Sequence, residues 1–87
     1  MIKVDHSGNG TYRVTVEKSS TTQHDVTLTE DYYNKLTNGS VEPEVLIEKS
    51  FEFLLQRESN TMILREFDLP VIGRYFNEYE DTIKGML

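Results

Sequence analysis

The sequence predicts an α+β fold. A three-stranded antiparallel β-meander over residues 1–29 is followed by a helical part over residues 30–80, in which one long amphipathic helix packs on the sheet. Three observations predict it. Apolar residues alternate with period two through the first third of the chain. The connections between these alternating runs are short and polar, which suits neighbouring antiparallel strands. From Pro43 to Arg57 the apolar period lengthens to three and four residues, the spacing of one helix face.

The strands come first. Ile2 and Val4 share one face, as do Tyr12, Val14 and Val16, and then His24, Val26 and Leu28. Arg13, Thr15 and Glu17 stand opposite the second set, and Asp25, Thr27 and Thr29 opposite the third, so each strand is half buried. His6 to Gly10 is rich in residues that accept a positive φ and reads as the first turn, and Ser19 to Thr22 as the second.

Thr29 is positioned to cap a short helix whose first turn carries Glu30 and Asp31, where carboxylates suit the helix dipole. Tyr32, Tyr33 and Leu36 face inward on it, and Asn38-Gly39 ends it. Pro43 opens the main helix, because its fixed φ and missing N–H cost nothing in a first turn. Leu46, Ile47, Ser50, Phe51, Phe53, Leu54 and Leu55 form the buried side, with Glu44, Glu48 and Glu52 outside. Ser50, small among bulky neighbours, marks a close approach of another element. Asn60 is expected to cap a short helix carrying Ile63, Leu64 and Phe67. Asp68 is expected to cap a last helix with Leu69, Ile72, Tyr75, Phe76 and Tyr79 on its apolar side, and residues 81–87 are expected to fray as a tail.

Composition narrows the function classes. A chain of 87 residues makes one domain with a small core. There is no cysteine, which excludes a disulfide framework and a thiol nucleophile and favours a reducing bacterial cytoplasm. The N-terminal residues show no signal-peptide h-region, and no apolar run reaches membrane-spanning length. The net charge is −6, and six of nine basic and twelve of fifteen acidic side chains lie beyond residue 29. The excess therefore sits on the helical part, which repels nucleic acid and anionic membranes but not a basic or apolar protein partner, and which also serves solubility.

No catalytic constellation is visible. His6 falls in a turn and His24 on the apolar side of a strand, where a histidine usually packs with one hydrogen bond. Two histidines without cysteine and without ligand spacing make no metal motif. The carboxylates lie on helix surfaces, and Gly8 and Gly10 lack the helix and lysine of a phosphate loop. No cofactor and no small-molecule substrate is expected. Tyr32, Tyr33, Tyr75 and Tyr79 sit at core edges and are the candidate interface residues, since tyrosine tolerates water at one end.

Two resemblances bear on function. The strand over residues 23–29, the helix over residues 30–37, the Asn-Gly turn and Leu46-Ile47-x-x-Ser50-x-x-x-Leu54 together resemble the ribbon-helix-helix proteins. That likeness implies a transcriptional regulator or antitoxin in which this strand pairs with its twin across a dimer and its outward residues Asp25, Thr27 and Thr29 face DNA. The segments His24-x-Val-x-Leu28, Pro43-Glu-x-Leu-Ile, Ser50-Phe-Glu-Phe-Leu-Leu-x-Arg-Glu58 and Tyr75-Phe-x-Glu-Tyr-Glu80 resemble a group of small bacterial proteins of no assigned function. The leading expectation is a non-enzymatic protein-interaction module that self-associates or binds another protein.

If the main helix faces the sheet, Phe51→Ala costs about 3–5 kcal/mol and nearly unfolds the domain. A thermal melt checks this: a midpoint that barely moves places Phe51 on the wrong face.

Overall fold

The structure is a computed structural model describing residues 1–87. Three antiparallel strands, β1 (Ile2–Gly8), β2 (Thr11–Glu17) and β3 (Thr21–Thr27), form the expected meander, with His6 to Gly8 and Thr21 to Thr22 lying in strands and not in the turns expected there. Their register places Val4 opposite Val14 and Val14 opposite His24, so the alternating apolar residues share one face. On the other face the guanidinium of Arg13 meets the carboxylate of Asp25 at 3.1 Å. The first turn depends on Gly10, whose φ is +69° and whose absent Cβ would stand 3.2 Å from the Leu28 carbonyl oxygen.

Helix α1 (Glu30–Thr37) begins as expected: the Thr29 hydroxyl accepts from the Tyr32 amide at 3.2 Å. It ends at Asn38 and Gly39, both left-handed. Helix α2 (Pro43–Leu55) starts at its proline and is 13 residues long. It stops before Arg57 because the Arg57 and Glu58 amides both turn back to the Leu54 carbonyl.

The rest of the chain departs from expectation. In place of one long helix with short companions there are several modest helices and a fourth strand. The segment expected as a helix from Asn60 is a single 3₁₀ turn (Asn60–Met62) followed by β4 (Glu66–Asp68), which pairs parallel to β3. Asn60 is not its cap; Ser59 is, accepting from the Thr61 amide at 3.2 Å. The Asn60 amide is committed elsewhere, donating to the Ser20 carbonyl in the β2–β3 turn at 2.9 Å and to the hydroxyl of Thr22, near the start of β3, at 3.0 Å. β3 would otherwise be an open edge, and the strand that closes it also delivers Phe67 to the core face beside Phe51, with ring centroids 6.1 Å apart. A short apolar run cannot be assigned to helix or strand by periodicity alone, so the neighbour decides.

The expected last helix is likewise two. α3 (Val71–Tyr75) and α4 (Tyr79–Met86) are separated at Phe76, whose φ of −131° and ψ of 99° are extended. Asp68 ends β4 and caps neither. The break lets Phe76 and Tyr79 each meet Phe53 edge-on, at 5.8 Å and 5.3 Å. Residues 81–87, expected to fray, mostly belong to α4, and Ile83 there is fully buried. No helix is long and apolar enough to cross a membrane.

The core lies between the apolar sheet face and α2, with α1 and α4 closing its flank. Phe51 is its centre, tilted against His24 at 5.4 Å as well as against Phe67. The close approach expected at Ser50 is that of α4: the Ser50 hydroxyl donates to the Leu46 carbonyl at 2.7 Å and therefore accepts from the Tyr79 hydroxyl, also at 2.7 Å. At the rim, the Tyr32 hydroxyl donates to Glu80 at 2.8 Å and Lys35 approaches it at 3.3 Å, tying α1 to α4.

These two links give distinct expectations. Ser50→Ala strands the buried Tyr79 hydroxyl and costs about 1–3 kcal/mol, whereas Tyr79→Phe leaves Ser50 bonded to Leu46 and costs about 0.5–1.5 kcal/mol. Denaturant unfolding of both variants tests the order. The Tyr32 hydrogen bond, then Lys35, holds the Glu80 carboxyl below its ordinary value of 4.5. A depressed carboxylate stabilises the fold fully above that value, and the contribution is lost as pH falls through the lower folded one. Tyr32→Phe flattens this acid limb, visible as a smaller change in denaturation midpoint between neutral and acid pH.

Candidate interaction surface

The four tyrosines do not form one surface. Tyr79 is fully buried and cannot meet a partner. Burial pushes its phenol well above the ordinary tyrosine value, which keeps it a donor to Ser50. Tyr32 is also buried, with its hydroxyl spent on Glu80. Tyr33 is half-buried, and its hydroxyl donates to the Val41 carbonyl, holding the α1–α2 connection. Tyr75 alone stands out, 70% exposed on α3.

Tyr75 lies on an apolar groove of about 330 Å³. Four elements build it. The end of α2 gives Leu54 and, just beyond, Glu58; the 3₁₀ turn gives Met62, with Ile63 next to it. Leu64 and Phe67 come from the approach to β4 and its centre, and Val71, Ile72, Tyr75 and Phe76 from α3 and its end. Nine of the ten lining residues are hydrophobic, and Glu58 is the exception. Met62 is 71% and Leu64 48% exposed. With Tyr75 they are three of the molecule's four exposed large hydrophobic side chains; the fourth is Met1. The outward, apolar wall is thus concentrated in one place.

The groove is held by polar bonds behind it. His24, buried in β3, bonds through Nδ1 to the Leu64 carbonyl at 2.8 Å and through Nε2 to the Thr22 hydroxyl at 2.9 Å. A carbonyl only accepts, so Nδ1 carries the proton, and in the neutral ring Nε2 accepts from Thr22. Asn60 in turn donates to Thr22. This relay pins the main chain at Leu64 while its side chain points to the groove. On the α3 side, Phe76 rests on Phe53, and the Arg57 guanidinium stacks 3.6 Å from the Phe53 ring centre while pairing with Glu78 at 3.3 Å. A hydrogen bond from its own backbone amide, then Arg57, holds the Glu78 carboxyl below the ordinary range.

No group of three or more His, Asp or Glu side chains is arranged to hold a metal ion. The groove offers surface for apolar side chains and, at Glu58, one negative charge. Sequence reasoning placed Tyr75 and Phe76 on an apolar helix side and Leu64 inside a helix; it did not single out Met62. Reading residues 63–67 as extended rather than helical would have split Leu64 from Phe67 and exposed the pattern. No family model, curated protein or solved structure matches the chain.

Proposed function

We propose that this chain is a small non-enzymatic protein-interaction module of a bacterial cytoplasm, and that its groove between α2, β4 and α3 receives apolar anchor side chains of a protein partner. The observation that carries this reading is the gathering of Met62, Leu64 and Tyr75, three of the four exposed large hydrophobic side chains, around one apolar groove. Large exposed apolar patches are stabilised when a partner removes them from water. The net charge of −6 and the Glu58 carboxylate favour anchors flanked by Lys or Arg over acidic segments.

The alternative, a ribbon-helix-helix regulator or antitoxin, needs a strand with a free edge for its twin. Here β3 is internal, with β2 on one side and β4 on the other. Asp25 on its outward face is held in an ion pair with Arg13, so this face offers neither a free cation for DNA phosphates nor a donor for base edges at that position. The interaction reading is therefore preferred.

Tagged protein expressed in its native host, with bound proteins identified and quantified, tests it. Leu64→Glu and Tyr75→Ser lie on exposed positions and leave the melting temperature within a few degrees, yet each lowers recovery of a specific partner about tenfold or more. Equal recovery by the folded variants would remove the groove from the interaction.

A further inference from the structure

We infer that two copies of this chain pair through the free edge of β1, antiparallel and centred on Val4, so that their two four-stranded sheets become continuous. This rests on the edge of the sheet opposite β4 and does not depend on the groove.

β1 is an outermost strand. Met1 and Glu17 exchange backbone hydrogen bonds, each 2.8 Å. Alternation along an antiparallel strand then turns the peptide groups of Lys3 and Asp5 toward β2 and those of Ile2, Val4 and His6 outward. None of the three outward residues has a backbone partner elsewhere in the chain. The strand contains no proline and pairs regularly from Ile2 to His6 before its register shifts between His6 and Gly8, while α2 packs against it. The other edge, β4, is only three residues long and is followed two residues later by Pro70, the usual way an edge is blunted. Ile2 and Val4 are packed against the core but only half-buried, so a neighbouring strand would complete their burial.

The charges select a register. Keeping both apolar faces on the same side requires Val4 and its even-numbered neighbours to meet one another. Centred on Val4, Lys3 stands opposite the partner's Asp5, and Asp5 opposite the partner's Lys3, while Ile2 stands opposite the partner's His6. Centring on Lys3 would oppose two ammonium groups, and centring on Asp5 two carboxylates, both destabilising across a strand pair. Lys3 and Asp5 are exposed, and neither enters an ion pair within the chain: Arg13, opposite Asp5 in the sheet, turns instead to Asp25. The acidic excess lies beyond residue 29, leaving the meander balanced at three basic and three acidic side chains and free of net repulsion at this edge. A contact in which the same residues meet their own counterparts closes at two copies.

Sedimentation velocity from low micromolar to near-millimolar protein tests this, with thermal melts confirming that each variant folds. The native chain shifts from monomer to dimer with concentration. Lys3→Asp and Asp5→Lys each weaken the dimer about tenfold or more, because both cross-strand pairs become like-charged. Mixing the two variants restores association, since the two carboxylates on the strand of one variant then face the two ammonium groups on the strand of the other. A chain that stays monomeric throughout, or a dimer indifferent to the swaps and to their mixing, would overturn the inference. Leu64→Glu leaves this dimer unchanged, which separates its failure from failure of the groove.

Discussion

The packing of Phe51 against the apolar face of the sheet is the contact on which the rest depends. A sheet with one polar and one apolar face is unstable until the apolar face is covered, and in a chain this short one helix must do most of the covering. α2 does so with Leu46, Ile47, Phe51 and Leu54, all buried. Phe51 touches His24 on β3 and Phe67 on β4, so it fastens together the first third of the chain and the segment that follows the helix. Ser50, one residue earlier, carries the same helix into contact with α4 through Tyr79. Two adjacent positions thus link sheet, edge strand and C-terminal helix.

Polar groups inside this core set its registration. The relay from Asn60 through Thr22 and His24 to the Leu64 carbonyl joins segments about forty residues apart in sequence. Every buried side-chain nitrogen and oxygen has a hydrogen-bond partner. A buried polar group left unpaired costs more than a made bond gains, so such a relay favours one placement of the 3₁₀ turn and β4 over near alternatives. That placement leaves the hydrophobic side chains of Met62 and Leu64 facing outward. The same bonds that fix the chain also present the groove.

The two surfaces available for association differ in kind. The groove offers apolar side-chain area and little backbone. The β1 edge offers backbone donors and acceptors with a self-complementary pair of charges. They lie on different parts of the molecule, so a dimer would present two grooves, and a partner able to engage both would gain avidity without any new contact.

By itself the sequence determined the α+β class, the three antiparallel strands, the Thr29 cap, the left-handed exit at Asn38-Gly39 and the proline start of α2. Each of these is local: a side-chain period, a capping hydroxyl, a residue tolerant of positive φ, a fixed φ. It also marked Ser50 as a place of close approach and Tyr75 as an edge residue. What followed Leu55 was decided by tertiary structure. Ile63, Leu64 and Phe67 have helical spacing, but Phe67 is drawn to the open edge of β3 and to Phe51, and the chain extends to reach them. Phe76 and Tyr79 have the spacing of one helix, but the backbone is extended at Phe76, and both rings meet Phe53 from opposite sides of that break in the chain. Tyr32 and Tyr79 read as core-edge residues and interface candidates, but both are buried, with their hydroxyls bonded to Glu80 and Ser50. The division follows from range: local rules act over a turn of chain, whereas the partners that overrule them lie tens of residues away and exist only once the core has formed.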